Sequence, residues 1–142
     1  MGRARRTVLL VDDAEPFRRS LRRLLEHDGH RVLCARDGRE AMAELDAEPG
    51  VDVVLLDLVM PVMDGFAFLE ALRGGPRRGT PVVVLTADER RGSFERAERL
   101  GARRCLHKGS TLFDQVSRYL RTMDDDPSPA GPDPEPDSEP GQ

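Results

Sequence analysis

Residues 51–65, VDVVLLDLVMPVMDG, decide how this chain folds. Residues 52–56, Asp52 followed by the apolar Val53, Val54, Leu55 and Leu56, are a short run suited to a buried central strand. Asp57 stands where the run ends, and Leu58, Val59, Met60 and Pro61 lead to the turn pair Asp64-Gly65. A carboxylate at the end of a buried strand costs solvation energy unless something uses or compensates it. Alone, Asp57 reads equally well as a strand-end aspartate bonded to its own turn.

Working outward, apolar runs predict strands at residues 7–11, 31–35 and 82–85, and a short fifth strand is expected at 103–107. Thr86 closes the fourth. Between them lie helical patterns. Residues 15–28 put Phe17, Leu21, Leu24 and Leu25 on one stripe. Pro16 suits a first turn and Gly29 a stop. Residues 38–48 turn Ala41, Met42 and Leu45 inward, and residues 65–72 do so with Phe66, Leu69 and Leu72. Residues 90–100 offer only Phe94, Ala97 and Leu100 among many charges, a thin inward face. The last helix starts near Ser110 or Thr111, either able to cap it, and carries Leu112, Phe113, Val116 and Leu120. Strands apolar throughout and alternating with helices mean a parallel sheet covered on both faces.

The expected organisation is a basic segment (1–6), one folded domain (7–122) and a tail (123–142). The tail holds six prolines and seven acids with no large apolar residue after Met123. It cannot bury enough surface to offset its ordering entropy, so it is expected to be disordered. Without those seven acids, the chain sets 22 basic side chains against 19 acidic ones. The arginines are interspersed with acids, and no recognition helix or aromatic-interleaved motif accompanies them, so direct DNA binding is not expected. Two cysteines without CxxC spacing exclude a disulfide framework or zinc site and suit a reducing compartment. The apolar run after the basic start is too short for a signal peptide or membrane span. The cytoplasm is the default location.

In open parallel sheets the working groups lie beyond the carboxyl ends of the strands. That rule brings together Asp12 and Asp13 after strand one, Asp57 after strand three, Thr86 at the end of strand four and Lys108 after strand five. Converging carboxylates repel one another and call for a cation; an all-oxygen site with few ligands suits Mg²⁺ or Mn²⁺. Such ions commonly act on phosphate oxygens. Lys108 supplies a mobile positive charge, the Thr86 hydroxyl a donor, and Asp57 an oxygen nucleophile. In-line phosphoryl transfer onto Asp57 is the chemistry this set fits.

The segments VLLVDD, DLVMPVMDG and VLTA, with the lone Lys108, resemble the receiver domain of two-component response regulators over about residues 5–122. The resemblance implies an α/β, flavodoxin-like (βα)5 three-layer sandwich with a parallel five-stranded sheet of order 2-1-3-4-5. It implies that Asp57 is the phosphoacceptor and that Asp13, Asp57 and the backbone carbonyl of Val59 ligate Mg²⁺, with Asp12 assisting indirectly. The implied donor is a sensor histidine kinase or histidine phosphotransfer protein, and the downstream target a protein. Thr86 and Lys108 would stabilise the phosphoryl group and set the switch.

Two positions depart from the family. Cys105 stands where the family has a switch aromatic, and Gly109 where a proline follows the lysine. A small core thiol is the plainer reading of Cys105 than a redox sensor. Val59 and Asp88 flank the route of the hydrolytic water; an apolar Val59 cannot orient it, so slow to moderate self-dephosphorylation is expected. His107 reads as an edge histidine without a catalytic task. No second domain is expected, nor turnover as an enzyme, and a phosphatase lacks an acid or base for a leaving group. The rival is a non-phosphorylated pseudo-receiver that binds partners through the face of helix four, strand five and helix five. The family also pairs through that face, so a homodimer stays open.

Overall fold

The computed structural model describes residues 5–87, 90 and 92–125. Strands and helices alternate along the chain: β1 (Thr7–Val11), α1 (Glu15–His27), β2 (Arg31–Ala35), α2 (Gly38–Ala47), β3 (Val53–Leu56), α3 (Gly65–Arg73), β4 (Val82–Thr86), α4 (Ser93–Arg99), β5 (Arg104–His107) and α5 (Leu112–Thr122). All strand pairs are parallel and the sheet order is β2-β1-β3-β4-β5. This is the expected flavodoxin-like sandwich.

The three central strands β1, β3 and β4 are buried on both faces, which is why they read as continuous apolar runs, whereas the edge strand β5 is exposed at Arg104 and His107. Leu9, Val11, Val54, Leu56 and Val84 face α2, α3 and α4. Val8, Leu10, Val53, Leu55 and Val83 face α1 and α5, where Leu21, Leu25, Val116 and Leu120 meet them. Register sets the ends of the strands: Val11 lies beside Leu56, and Leu56 beside Val84. The next residues after β1 and β3, Asp12 and Asp57, are thereby delivered to one edge.

Two local expectations are corrected. α4 begins at Ser93 rather than residue 90, because Gly92 adopts φ 87°, a left-handed conformation that cannot belong to the helix. Thr111 occupies the N-cap of α5, but its hydroxyl makes no capping bond. Its ψ of 8° lacks the extended geometry that aims a cap side chain at the orphan N–H groups. The thin face of α4 is as expected: within the helix only Ser93 and Ala97 are buried. The Arg96 guanidinium lies 4.0 Å from the centre of the Phe66 ring and adds a cation–π contact to α3.

Several arginines are engaged locally. Arg77 donates to the carbonyl of Leu45, Arg73 to that of Arg99, and Arg19 and Arg22 pair with acids four residues away on α1. The chain is also tied on either side of the 7–122 span. Buried Arg6 donates from Nε to the carbonyl of Leu120 and from Nη1 to both carboxylate oxygens of Asp124, in the 3-10 turn Met123–Asp125.

Gly65 is the tightest point of the fold. A Cβ there would overlap the carbonyl oxygen of Asp57 and the Cα of Leu58, both backbone atoms. Its amide donates to the carbonyl of Leu58 at 2.9 Å. Gly65→Ala is expected to cost about 2–3 kcal/mol by overpacking, read as a lower urea midpoint with an unchanged slope.

Candidate functional site

The site is built where β1 and β3 run out. The Asp12 amide donates to the carbonyl of Ala35, and the Asp57 amide to that of Val11, so both backbones stay in the ladder one residue beyond their strands. Their side chains therefore have little freedom. Asp12 is only 1% exposed and Asp57 7%. Asp13 is exposed. Each of the three offers a carboxylate oxygen, and the three oxygens lie within 4.8 Å of one another.

Lys108 enters from β5. Its amide donates to the carbonyl of Thr86 at 3.0 Å, which fastens the ends of β4 and β5 together and brings the side chain over the acids. Nζ stands 2.6 Å from Asp12 Oδ2 and 3.7 Å from Asp57 Oδ2. The shorter contact is thus with Asp12. Asp12 Oδ1 accepts from the Ala14 amide at 2.8 Å, so both of its oxygens are engaged. Asp57 is less satisfied: its Oδ1 lies 3.5 Å from the Val59 amide, a long and weak contact. Burial raises the Asp57 pKa, and the Asp12 charge adds to this; Lys108 and the amides of Val59 and Leu58 oppose them.

Two of the three carboxylates, those of Asp12 and Asp57, pair with one ammonium. The donor set is all oxygen, hard and partly open to solvent, which fits a small divalent cation that keeps part of its water shell. Among the described residues this is the group of acids so placed.

The sequence profile of the family "Response regulator receiver domain" matches residues 8–118. The chain belongs to that family. Among curated relatives, the sensory/regulatory protein RpfC of Xanthomonas campestris pv. campestris is 43% identical over 104 residues, which is 71% of this chain and 14% of RpfC. Protein-glutamate methylesterase/protein-glutamine glutaminase 6 of Anaeromyxobacter dehalogenans is 50% identical over 99 residues, 67% of this chain and 27% of that protein. The chain therefore spans less than a third of either. Among solved structures, the receiver domain of sensor histidine kinase PA1611 from Pseudomonas aeruginosa, with magnesium in its active site cleft, superposes with a TM-score of 0.74 at 27% identity, over 82% of this chain and 95% of that one. The Mn²⁺-bound response regulator Rcp1 gives a TM-score of 0.71 at 28% identity, over 80% and 91%.

The other expected residues of the receiver lie around this cluster or behind it. Thr86 is fully buried at the end of β4. Because Leu56 pairs with Val84, Thr86 lies one step beyond the level of Asp57, on the neighbouring strand. The Val59 side chain is 55% exposed. Asp88 lies outside the described residues. Cys105 is half-buried against the α2–α4 side of the core, its Sγ 3.8 Å from the Phe94 carbonyl. Burial, with Glu98 and Glu95 nearby, pushes its pKa up to about 12, so it stays a thiol at neutral pH. His107 pairs laterally with Thr86, and its ring lies 4.7 Å from that of Phe94.

Two participants escaped the sequence reading. Phe17 looked like part of the α1 core stripe, yet its ring centre is 4.2 Å from Lys108 Nζ. Arg18 looked like one more solvated charge, yet its Nη1 donates to the Asp12 carbonyl at 2.6 Å. The only signal for either was a place in the first turn after Asp13, beside the strand ends. No helix among the described residues is long and apolar enough to cross a membrane.

Because burial raises the Asp57 pKa, the folded protein keeps a proton that the unfolded chain has already lost. The burial penalty is absent below the ordinary aspartate value. It develops as pH rises through the raised value and is complete above it. Asp57→Asn is therefore expected to stabilise the protein in EDTA, on the order of 1 kcal/mol at neutral pH. Thermal melts of the two proteins should differ least in acid and diverge as pH rises through the raised Asp57 value.

Proposed function

We propose that this receiver takes a phosphoryl group onto Asp57 from the phosphohistidine of a sensor kinase or histidine phosphotransfer protein. The observation that carries the reading is the cluster of Asp12, Asp13 and Asp57 under the Lys108 ammonium. In the transfer, a bond forms between Asp57 Oδ and phosphorus and the phosphorus–nitrogen bond of the donor breaks. The leaving imidazole keeps the electron pair and takes up a proton. Asp57 is suited to attack because neither oxygen is strongly bonded, while its neighbour Asp12 holds the lysine. Lys108 balances the charge that gathers on the phosphoryl oxygens. Thr86, at the adjacent strand end, supplies a hydroxyl donor to the product.

Asp13, Asp57 and the Val59 carbonyl are the groups that would hold Mg²⁺ or Mn²⁺, with Asp12 acting indirectly. When bound, the ion supplies charge neutralisation and orientation of phosphoryl oxygens. The metal-bound states of Rcp1 and of the PA1611 receiver support this assignment. The exposed, apolar Val59 side chain offers no hydrogen bond to a hydrolytic water, so the acyl phosphate decays at a slow to moderate rate; Asp88 is the second residue assigned to that water. The signal leaves by contact with a downstream protein or by passing the phosphoryl group on.

The second reading, an idle pocket in a protein-interaction module, draws on Cys105 and Gly109, which replace two parts of the usual switch. Mg²⁺ titration separates the two readings. A phosphorylating receiver binds the ion at the aspartates, and Asp13→Asn removes that binding.

With Mg²⁺ and a small phosphodonor, intact mass is expected to rise by one phosphoryl group, and Asp57→Ala to abolish the gain. Lys108→Ala should slow uptake at least about tenfold. If phosphohistidine donors also leave the mass unchanged, the idle-pocket reading replaces this one. Val59→Asn should speed loss of the phosphoryl group several-fold; an unchanged decay would remove Val59 from the hydrolytic route.

A further inference from the structure

The last described residue of the chain lies on the rim of a groove. Between β5 and α5 is a cleft of about 420 Å³ lined by Arg104, Leu106, Gln115, Arg118 and Tyr119, with Asp125 at its end. It lies at the edge of the sheet, since β5 has one strand neighbour. The Arg104 guanidinium stands 5.9 Å from the centre of the Tyr119 ring. Leu106 and the largely buried Tyr119 contribute apolar surface to the lining, and Arg104 and Arg118 contribute positive charge. Arg6 holds Asp124 through both carboxylate oxygens. The chain is thus clamped one residue before the groove and delivered into it.

The sequence beyond Asp125 is chemically matched to that groove. Residues 126–142 contain five acids, no lysine or arginine, and six prolines. A proline-rich strand favours the extended polyproline conformation, about 3.1 Å per residue. It needs little additional ordering to lie in a groove lined in part by an aromatic ring. Seventeen residues in that form reach about 50 Å, far more than the cleft needs. Being covalently attached at the rim gives the segment an effective concentration in the millimolar range, so even a weak contact is populated.

We propose that residues 126–142 occupy the β5–α5 groove of their own chain, with their acids against Arg104 and Arg118 and their prolines over Tyr119 and Leu106. The segment is then a built-in competitor for that face. An outside partner must displace it, and phosphorylation of Asp57 is not required for it to bind. The contact is partly electrostatic and weakens with salt.

The test uses the full chain. Its ¹H–¹⁵N spectrum is compared with that of a full-length variant carrying Asp133→Asn, Glu135→Gln, Asp137→Asn and Glu139→Gln. The amides of Leu106, Gln115 and Tyr119 are expected to shift between the two. Raising NaCl to about 0.5 M should move the wild-type peaks toward the variant positions. Dilution should leave them in place. A peptide of residues 126–142 added to the variant should restore the wild-type shifts with a millimolar Kd, weakened at least fivefold by Arg104→Glu with Arg118→Glu. Superimposable groove amides in the two full-length proteins overturn the proposal, as do shifts that vanish on dilution, which would place a second copy in the groove. Should the arginine variants not fold, the comparison of the two full-length chains decides alone.

Discussion

Burying carboxylates at the ends of parallel strands is the constraint on which this structure depends. Asp12 and Asp57 stay in the backbone ladder one residue past β1 and β3, so neither can swing out to water. Their charge must be met on the spot, and the described residues meet it with one ammonium, that of Lys108. Such a buried pair adds little net stability, because desolvation offsets the attraction. Its consequence is positional. The lysine, the bond from its amide to the Thr86 carbonyl, and the aspartates hold the ends of β1, β3, β4 and β5 in register around one small volume. Asp57 is left with the weakest contacts of the group, a state that costs stability and leaves the carboxylate available for chemistry.

The loop after Asp57 obeys the same constraint. The chain must leave β3, pass over the site and enter α3 within a few residues. It does so by close backbone approach: Gly65 packs on the carbonyl of Asp57, and Gly38 on Met63. Between them Val62 takes φ 67°, and the Met63 amide bonds to the Pro61 carbonyl at 2.7 Å, a tight three-residue turn. A positive φ at a β-branched residue is strained. The Gly38 amide braces the turn by donating to the Met63 carbonyl. The turn leaves Val59 and Val62 exposed.

On the other side, the α4 face is thinly packed. α4 is short and buries only Ser93 and Ala97. It is held partly by Arg96 on Phe66 and by Phe94 against His107. Cys105 packs there with a thiol that burial keeps protonated. His107 lies two residues on, facing the same side of the sheet as Cys105 and beside Thr86 in the ladder. The aromatic contact with α4 is therefore made from the residue nearest the site.

The order of strands and helices, the central position of residues 53–56 and the convergence of Asp12, Asp13, Asp57, Thr86 and Lys108 were all legible in the sequence. The physical reason is that continuous apolar runs and helical stripes encode which segments are buried, and parallel topology sends every strand's carboxyl end to the same edge. Partners within that edge were not legible. Lys108 bonds Asp12 more closely than Asp57, Phe17 lies against the lysine, and Arg18 reaches the Asp12 carbonyl. These depend on side-chain direction and on register between segments distant in sequence, which no local pattern records. The same holds for Arg6, an ordinary charge in the sequence that becomes the buried clamp on Asp124 only when α5 has packed beside β1.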